Sequence, residues 1–196
     1  IAYLENGEVY VGVIYDPIAD ELFWAKRGSG AFLSSPRCGE RQLRASQTQS
    51  LAKAVVISEV GYGRDEESVA LVTESLASLL RAGVRSVRMG GSTGLNMAYV
   101  AAGRVDAAFE HGSWERGKGP KIWDVSAGKL LVEEAGGVTR DLARAGSDLD
   151  IMGRSQFCAS TAQLASVLLT ALPPEPCRSG ASGTARKAFV NGKLLS

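Results

Sequence analysis

Hydrophobic and polar positions alternate from the first residue, and that alternation predicts strands before any helix. Ile1-Ala2-Tyr3-Leu4-Glu5 and Glu8-Val9-Tyr10-Val11-Gly12-Val13-Ile14-Tyr15 flank Asn6-Gly7, a pair that tolerates positive φ and closes two-residue hairpins. Asp16-Pro17 ends the second run, Glu21 to Lys26 alternates again, and Gly28-Ser29-Gly30 turns the chain into Ala31-Phe32-Leu33. An antiparallel meander is the expected result. Ser34 to Glu40 reads as a loop and Gln42-Leu43-Arg44-Ala45 as a short strand. Ala54-Val55-Val56-Ile57-Ser58 is a compact β-branched run of the kind that makes a buried strand.

The period then lengthens. Asp65 stands where an N-cap belongs, Val69, Val72, Leu76, Leu79 and Leu80 recur at helical spacing, and Gly83 ends the pattern. Val84, Val87 and Met89 give a strand. Gly90-Gly91-Ser92-Thr93-Gly94 leads into a second helix from Leu95 to Ala102. The first N–H groups of such a helix have no intrahelical partner and point outward, where they attract anions and hydroxyl oxygens. Glycines at a strand-to-helix junction are, however, more often turn chemistry than a ligand cradle.

A strand over Asp106-Ala107-Ala108-Phe109 delivers Glu110, and a Gly-rich loop follows from His111 to Ile122. The loop reads as flexible, with His111 exposed and Trp114 exposed unless it folds over something. Arg116, Lys118 and Lys121 are expected to be solvated, with phosphate binding as their alternative use. Asp124 then opens an apolar-periodic helix that Gly136-Gly137 closes. Ala127 and Gly128 give it a small shoulder against which another backbone can pack. An Asp in that position is ordinarily an N-cap that accepts a backbone N–H, with Trp123 as a hydrophobic anchor beside it. Val138 to Leu142 and Gln156 to Ala159 are the last strands, and Ser160 is expected to cap a helix through Leu164, Val167, Leu168 and Leu172. Residues 173–196 have little periodicity and are expected to form a disordered or loosely attached tail.

Composition narrows the function classes. The chain has 196 residues, 45% hydrophobic and 22% charged, enough for one globular unit over residues 1–172. A formal net charge of +1 with no long basic run argues against nucleic-acid binding. No apolar stretch approaches the roughly 20 residues that cross a bilayer. Three widely spaced cysteines without a CxxC indicate neither a disulfide framework nor a zinc site, so a reducing, cytoplasmic compartment is expected. His111, the only histidine, excludes histidine-based metal clusters.

The string WDVSAGKLLVEEAGG, Trp123 to Gly137, closely resembles the C-terminal signature of the inositol monophosphatase family, and RMGGSTGLNMAYVAAGRVDAAFE, Arg88 to Glu110, is similar to another segment of it. The resemblance implies an α/β layered (α+β) sandwich, the C-terminal portion of the αβαβα inositol monophosphatase and sugar phosphatase fold. It implies that Asp124 is a catalytic ligand for Mg2+, that Gly91, Ser92 and Thr93 offer backbone and hydroxyl groups to an inositol ring, and that Glu110 accepts from a ring hydroxyl. The implied reaction is magnesium-dependent hydrolysis of a phosphate monoester on a small phosphorylated polyol, with inositol monophosphate leading. Bisphosphorylated sugars, nucleotide phosphates and histidinol phosphate are the alternatives within the superfamily. A homodimer is an assembly the resemblance allows.

The family's other acidic metal ligands lie upstream of anything in this sequence. Asp16-Pro17-Ile18-Ala19-Asp20 imitates the Asp-Pro-Ile/Leu-Asp-Gly-Thr motif but carries Glu21-Leu22 where Gly-Thr is required, so it is not assigned as a metal site. The loop 111–122 is longer than the family's usual connection. The chain is therefore expected to be the C-terminal part of a longer enzyme and inactive alone, or else a silent half-fold serving as a binding or assembly module. Either way the helices from Ser92 and Asp124 are expected to direct their N-termini into one cleft.

Overall fold

The structure, a computed structural model, describes residues 1–114, 117–142, 147–173, 189–190 and 193–194. Asn6 and Gly7 take φ of 51° and 82°, closing the hairpin between β1 (Ala2–Glu5) and β2 (Glu8–Asp16). β3 (Glu21–Lys26), β4 (Gly30–Ser35) and β5 (Gly39–Gln42) complete an antiparallel sheet in the order β1-β2-β3-β4-β5. The expected loop from Ser34 to Glu40 is thus a tight hairpin, and the last strand lies three residues earlier than its apolar content suggested. Leu43 and Ala45 are buried beyond the strand's end.

The second sheet has the order β7-β6-β8-β10-β9. β6 (Val55–Ser58) pairs in parallel with β7 (Ser86–Arg88) and β8 (Ala107–Glu110). β10 (Gln156–Ala159) runs antiparallel to β8 and to β9 (Val138–Arg140). The helices α1 (Glu66–Arg81), α2 (Thr93–Ala101) and α3 (Ile122–Glu134) make the crossovers, and α4 (Ala162–Ala171) follows the last strand.

α2 and α3 lie between the two sheets, while α1 and α4 cover the far face of the second, so the layers run sheet, helices, sheet, helices. One core joins Phe23, Leu33 and Leu43 of the first sheet region to Met97, Leu130 and Leu131. The other joins Val56, Phe109 and Phe157 to Leu79, Leu164 and Leu168. Small residues let α3 fit: a Cβ at Gly12 would lie 2.8 Å from the Ala127 carbonyl oxygen, and one at Gly128 would lie 2.7 Å from Met97 Cβ.

Several local expectations shift. Asp65 caps α1 by accepting from Ser68 N at 3.0 Å, yet the buried positions are Leu71, Ser75 and Leu79, with Val69 and Leu80 exposed. Thr161, not Ser160, caps α4, accepting from Leu164 N at 3.1 Å. Trp123 is no anchor: it is 72% exposed, with Lys121 Nζ 4.9 Å from its ring centroid. The expected disordered tail falls mostly outside the described residues; of its described part, Phe189–Val190 and Lys193–Leu194 pair as β11 and β12.

Candidate active site

The C-terminal ends of the parallel strands β6 and β8 meet the N-termini of α2 and α3, a place where open α/β sheets leave a crevice. Ser58 pairs with Phe109 in parallel register, and Glu59 N donates to the Phe109 carbonyl at 3.1 Å. The next residues, Glu59 and Glu110, therefore leave neighbouring strands together. Side chains alternate along a strand, so both continue the face of Ile57 and Ala108, which pack in the core shared with α2 and α3.

Glu110 is 8% exposed, and Thr93 Oγ1 donates to its Oε2 at 2.5 Å. Two of the predicted site residues thus bond each other directly. Burial pushes the Glu110 carboxyl above the ordinary carboxylate range; the Thr93 bond opposes that shift, and the negative charges of Glu59 and Asp124 add to it.

Ser92 is the N-cap of α2, its hydroxyl accepting from Leu95 N at 3.4 Å. Gly91 takes φ of 89°, which explains a glycine there. The Gly91 N–H group, expected to face a ligand, is instead accepted by Glu59 Oε1 at 2.7 Å, as is that of Gly90. Asn96 Nδ2 donates to the same oxygen at 2.8 Å. Glu59 and Asn96 escaped the sequence reading because a glutamate following a strand carries no local sign of a bond to a turn 31 residues on.

Asp124 is not the N-cap of α3. Lys121 holds that place, Asp124 is the third helical residue, and its Oδ2 accepts from Lys121 N at 2.8 Å. A lysine side chain has no acceptor to complete a reciprocal capping box, and the Asp124 N–H goes to the Lys121 carbonyl at 2.8 Å. Asp124 still serves the helix start, from three residues further in. The two helix starts lie side by side: the Cβ position at Gly94, in the first turn of α2, lies 3.6 Å from the Asp124 carbonyl oxygen.

The 111–122 connection is pinned rather than loose in its described part. Ser113 and Lys118 exchange backbone bonds at 3.0 and 3.1 Å. Trp114 Nε1 donates to the Met152 carbonyl at 2.6 Å, with the Arg154 guanidinium 5.1 Å from its ring centroid. His111 is half-buried, with Nε2 2.7 Å from Ser75 Oγ and its ring edge-on to Phe109, so the expected exposed histidine is corrected. Arg116 lies outside the described residues. A cavity of about 20 Å³, room for one water, sits beside the site, lined by Gly61, Tyr62, Ser68, His111 and Gly119 among others.

These groups can recognise hydroxyls: among the described residues no hydrogen bond reaches Glu110 Oε1, and the first-turn amides of α2 lack intrahelical acceptors. They supply only part of a magnesium site. Asp124 Oδ1 is an available ligand oxygen, but Mg2+ wants near-octahedral oxygen coordination. The described residues include no group of three or more His, Cys, Asp or Glu side chains able to hold a metal ion. Among them, no helix is long and apolar enough to cross a membrane.

Comparison with known proteins bears on this geometry. A family model described as the inositol monophosphatase family matches residues 1–175. The chain is 43% identical over 162 residues to inositol monophosphatase 2 of Solanum lycopersicum, an alignment covering 83% of this chain and 56% of that protein. Among solved structures it is similar to the extragenic suppressor protein suhB of Bartonella henselae, with a TM-score of 0.73 and 32% identity over 87% of this chain and 59% of that one. The inositol monophosphatase of Anabaena (Nostoc) sp. PCC 7120 gives a TM-score of 0.73 and 31% identity over 88% of this chain and 63% of that one. The chain spans about half the length of the curated relatives it matches.

Proposed function

The chain belongs to the inositol monophosphatase family, and from that premise we propose that it takes part in magnesium-dependent hydrolysis of a phosphate monoester, with an inositol monophosphate as substrate. The observation that carries this reading is the meeting of Asp124, at the start of α3, with the Thr93–Glu110 pair at the start of α2. A bound magnesium would polarise the phosphoryl group and lower the pKa of a water molecule. Asp124 gives one carboxylate toward that cation, aimed by the Lys121 N–H that holds its other oxygen. Glu110 and Thr93 orient the polyol: the carboxylate accepts from a ring hydroxyl, and the threonine hydroxyl, whose proton is directed at Glu110, accepts from another. The turn at Gly91 and Ser92 lets the ring approach the backbone without a side chain between them.

One carboxylate does not retain a catalytic magnesium against its hydration shell. The reading therefore calls for further carboxylates from outside this chain. The 196-residue chain alone is expected to show no magnesium-dependent hydrolysis, whereas a longer protein carrying it hydrolyses inositol monophosphate and loses at least about a hundredfold in kcat on Asp124→Asn. Phosphate release by the isolated chain at the rate of the longer protein would refute the requirement for further ligands. Retention of activity by the longer Asp124→Asn protein would refute the role of Asp124.

A further inference from the structure

A glycine turn at a helix start ordinarily draws anions, because its N–H groups are unpaired and the helix dipole puts about half an elementary positive charge there. Here that capacity is used from within. Glu59 Oε1 takes the N–H groups of Gly90 and Gly91 and the amide of Asn96, and its full negative charge exceeds that of the dipole. Asn96 is buried at 1% exposure, and a Cβ at Gly90 would fall 2.0 Å from Asn96 Oδ1, so turn and helix are built around this carboxylate. Among the described residues, no hydrogen bond reaches Glu59 Oε2. Glu110 comes off the adjacent strand beside it, and the charge of Glu59 contributes to the raised Glu110 carboxyl.

We infer that Glu59 sets substrate choice at this end of the site: by filling the anion position of the turn with a carboxylate, it lets the cleft accept the neutral hydroxyls of a polyol and turns away a second phosphate. The inference rests on the phosphatase reading and names a residue that would keep a second phosphate out of the site. Glu59 is a positioning and selecting residue, acting through the turn and through its charge.

The test uses a longer protein carrying this chain. Glu59→Gln keeps a carbonyl oxygen able to accept the same three N–H groups and removes only the charge. Dissociation constants for inositol monophosphate and for inositol bisphosphates are measured by calorimetry, and kcat/KM for each by phosphate release. Glu59→Gln is expected to lower the preference for monophosphate over bisphosphate by about tenfold, through tighter binding of the bisphosphate. Glu134→Gln, at a carboxylate remote from the cleft, is the control and is expected to leave that preference as it is. An unchanged preference in Glu59→Gln, with the monophosphate still hydrolysed, overturns this inference and leaves the phosphatase reading standing. A wild-type protein that neither binds nor hydrolyses any of these compounds overturns both.

Discussion

At the β3–β4 turn the two oxygens of Glu134 each accept one backbone N–H, from Gly28 and from Gly30, at 2.7 Å. At the β7–α2 turn a single oxygen of Glu59 accepts both backbone N–H groups and an amide besides, leaving its second oxygen without a partner among the described residues. The first carboxylate uses both of its oxygens to tie α3 to the antiparallel sheet. The second holds its turn with one oxygen and keeps the other next to Glu110. The same residue type on two glycine-bearing turns is thus a strut in one place and, on the inference drawn above, part of a recognition surface in the other. What separates them is which strand ends lie nearby.

Separating the two turns by mutation gives the largest effect at the strut. Glu134→Ala leaves two backbone donors without their charge-assisted bonds and is expected to lower the unfolding free energy by about 2 kcal/mol in denaturant titrations. In the longer protein kcat/KM should stay within about twofold, and a loss of activity as large as the loss of stability would erase the distinction. Glu59→Ala reverses the pattern. With the turn no longer held, Thr93 and Glu110 lose their fixed spacing, and the KM for inositol monophosphate is expected to rise about fivefold while kcat changes less. A kcat effect exceeding the KM effect would place Glu59 nearer the chemistry than the comparison allows.

The smallest effect is read in pH. Burial raises the Glu110 carboxyl above its ordinary value of 4.5. Just above that pH the folded chain therefore binds more protons than the unfolded one, and stability falls as pH rises through the window. Glu110→Gln keeps an acceptor for Thr93 and removes the titration. Its stability relative to wild type should rise as pH increases from 4.5 toward neutrality, and a difference independent of pH would mean that Glu110 is solvated in the folded chain.

Features governed by adjacent residues were legible before the fold was seen. Asn6-Gly7 closes its hairpin, Asp65 caps its helix, and Gly136 takes φ of 87° where α3 ends. Misreadings arise where a distant element decides. The face of α1 is set by what packs on it from β7 and α4, so Leu71 and Ser75 are buried and Leu80 is not. His111 looked exposed among polar neighbours until Ser75 of α1 arrived beside it. Asp124 was identified as serving its helix start, but a carboxylate at the third position can reach back as well as one at the cap, and spacing alone does not separate them. For the candidate site, Gly91, Ser92, Thr93, Glu110 and Asp124 stood out because two strings resembled a family. Glu59 did not, since its partners are met only through the pairing of β6 with β7.

The grip on α3 has a consequence for the record of descent. Gly12 meets the Ala127 carbonyl on one side of that helix and Gly128 meets Met97 on the other, and Ala127 is one turn along from Asp124. A larger side chain at position 12 would push the helix along or around its axis and carry the Asp124 carboxylate with it. Homologues that share the cleft should therefore retain glycine at position 12 and a small residue at position 127, although neither is assigned to the cleft. In an alignment, the middle of β2 would look as constrained as the acidic residues it never meets, for reasons of clearance rather than chemistry.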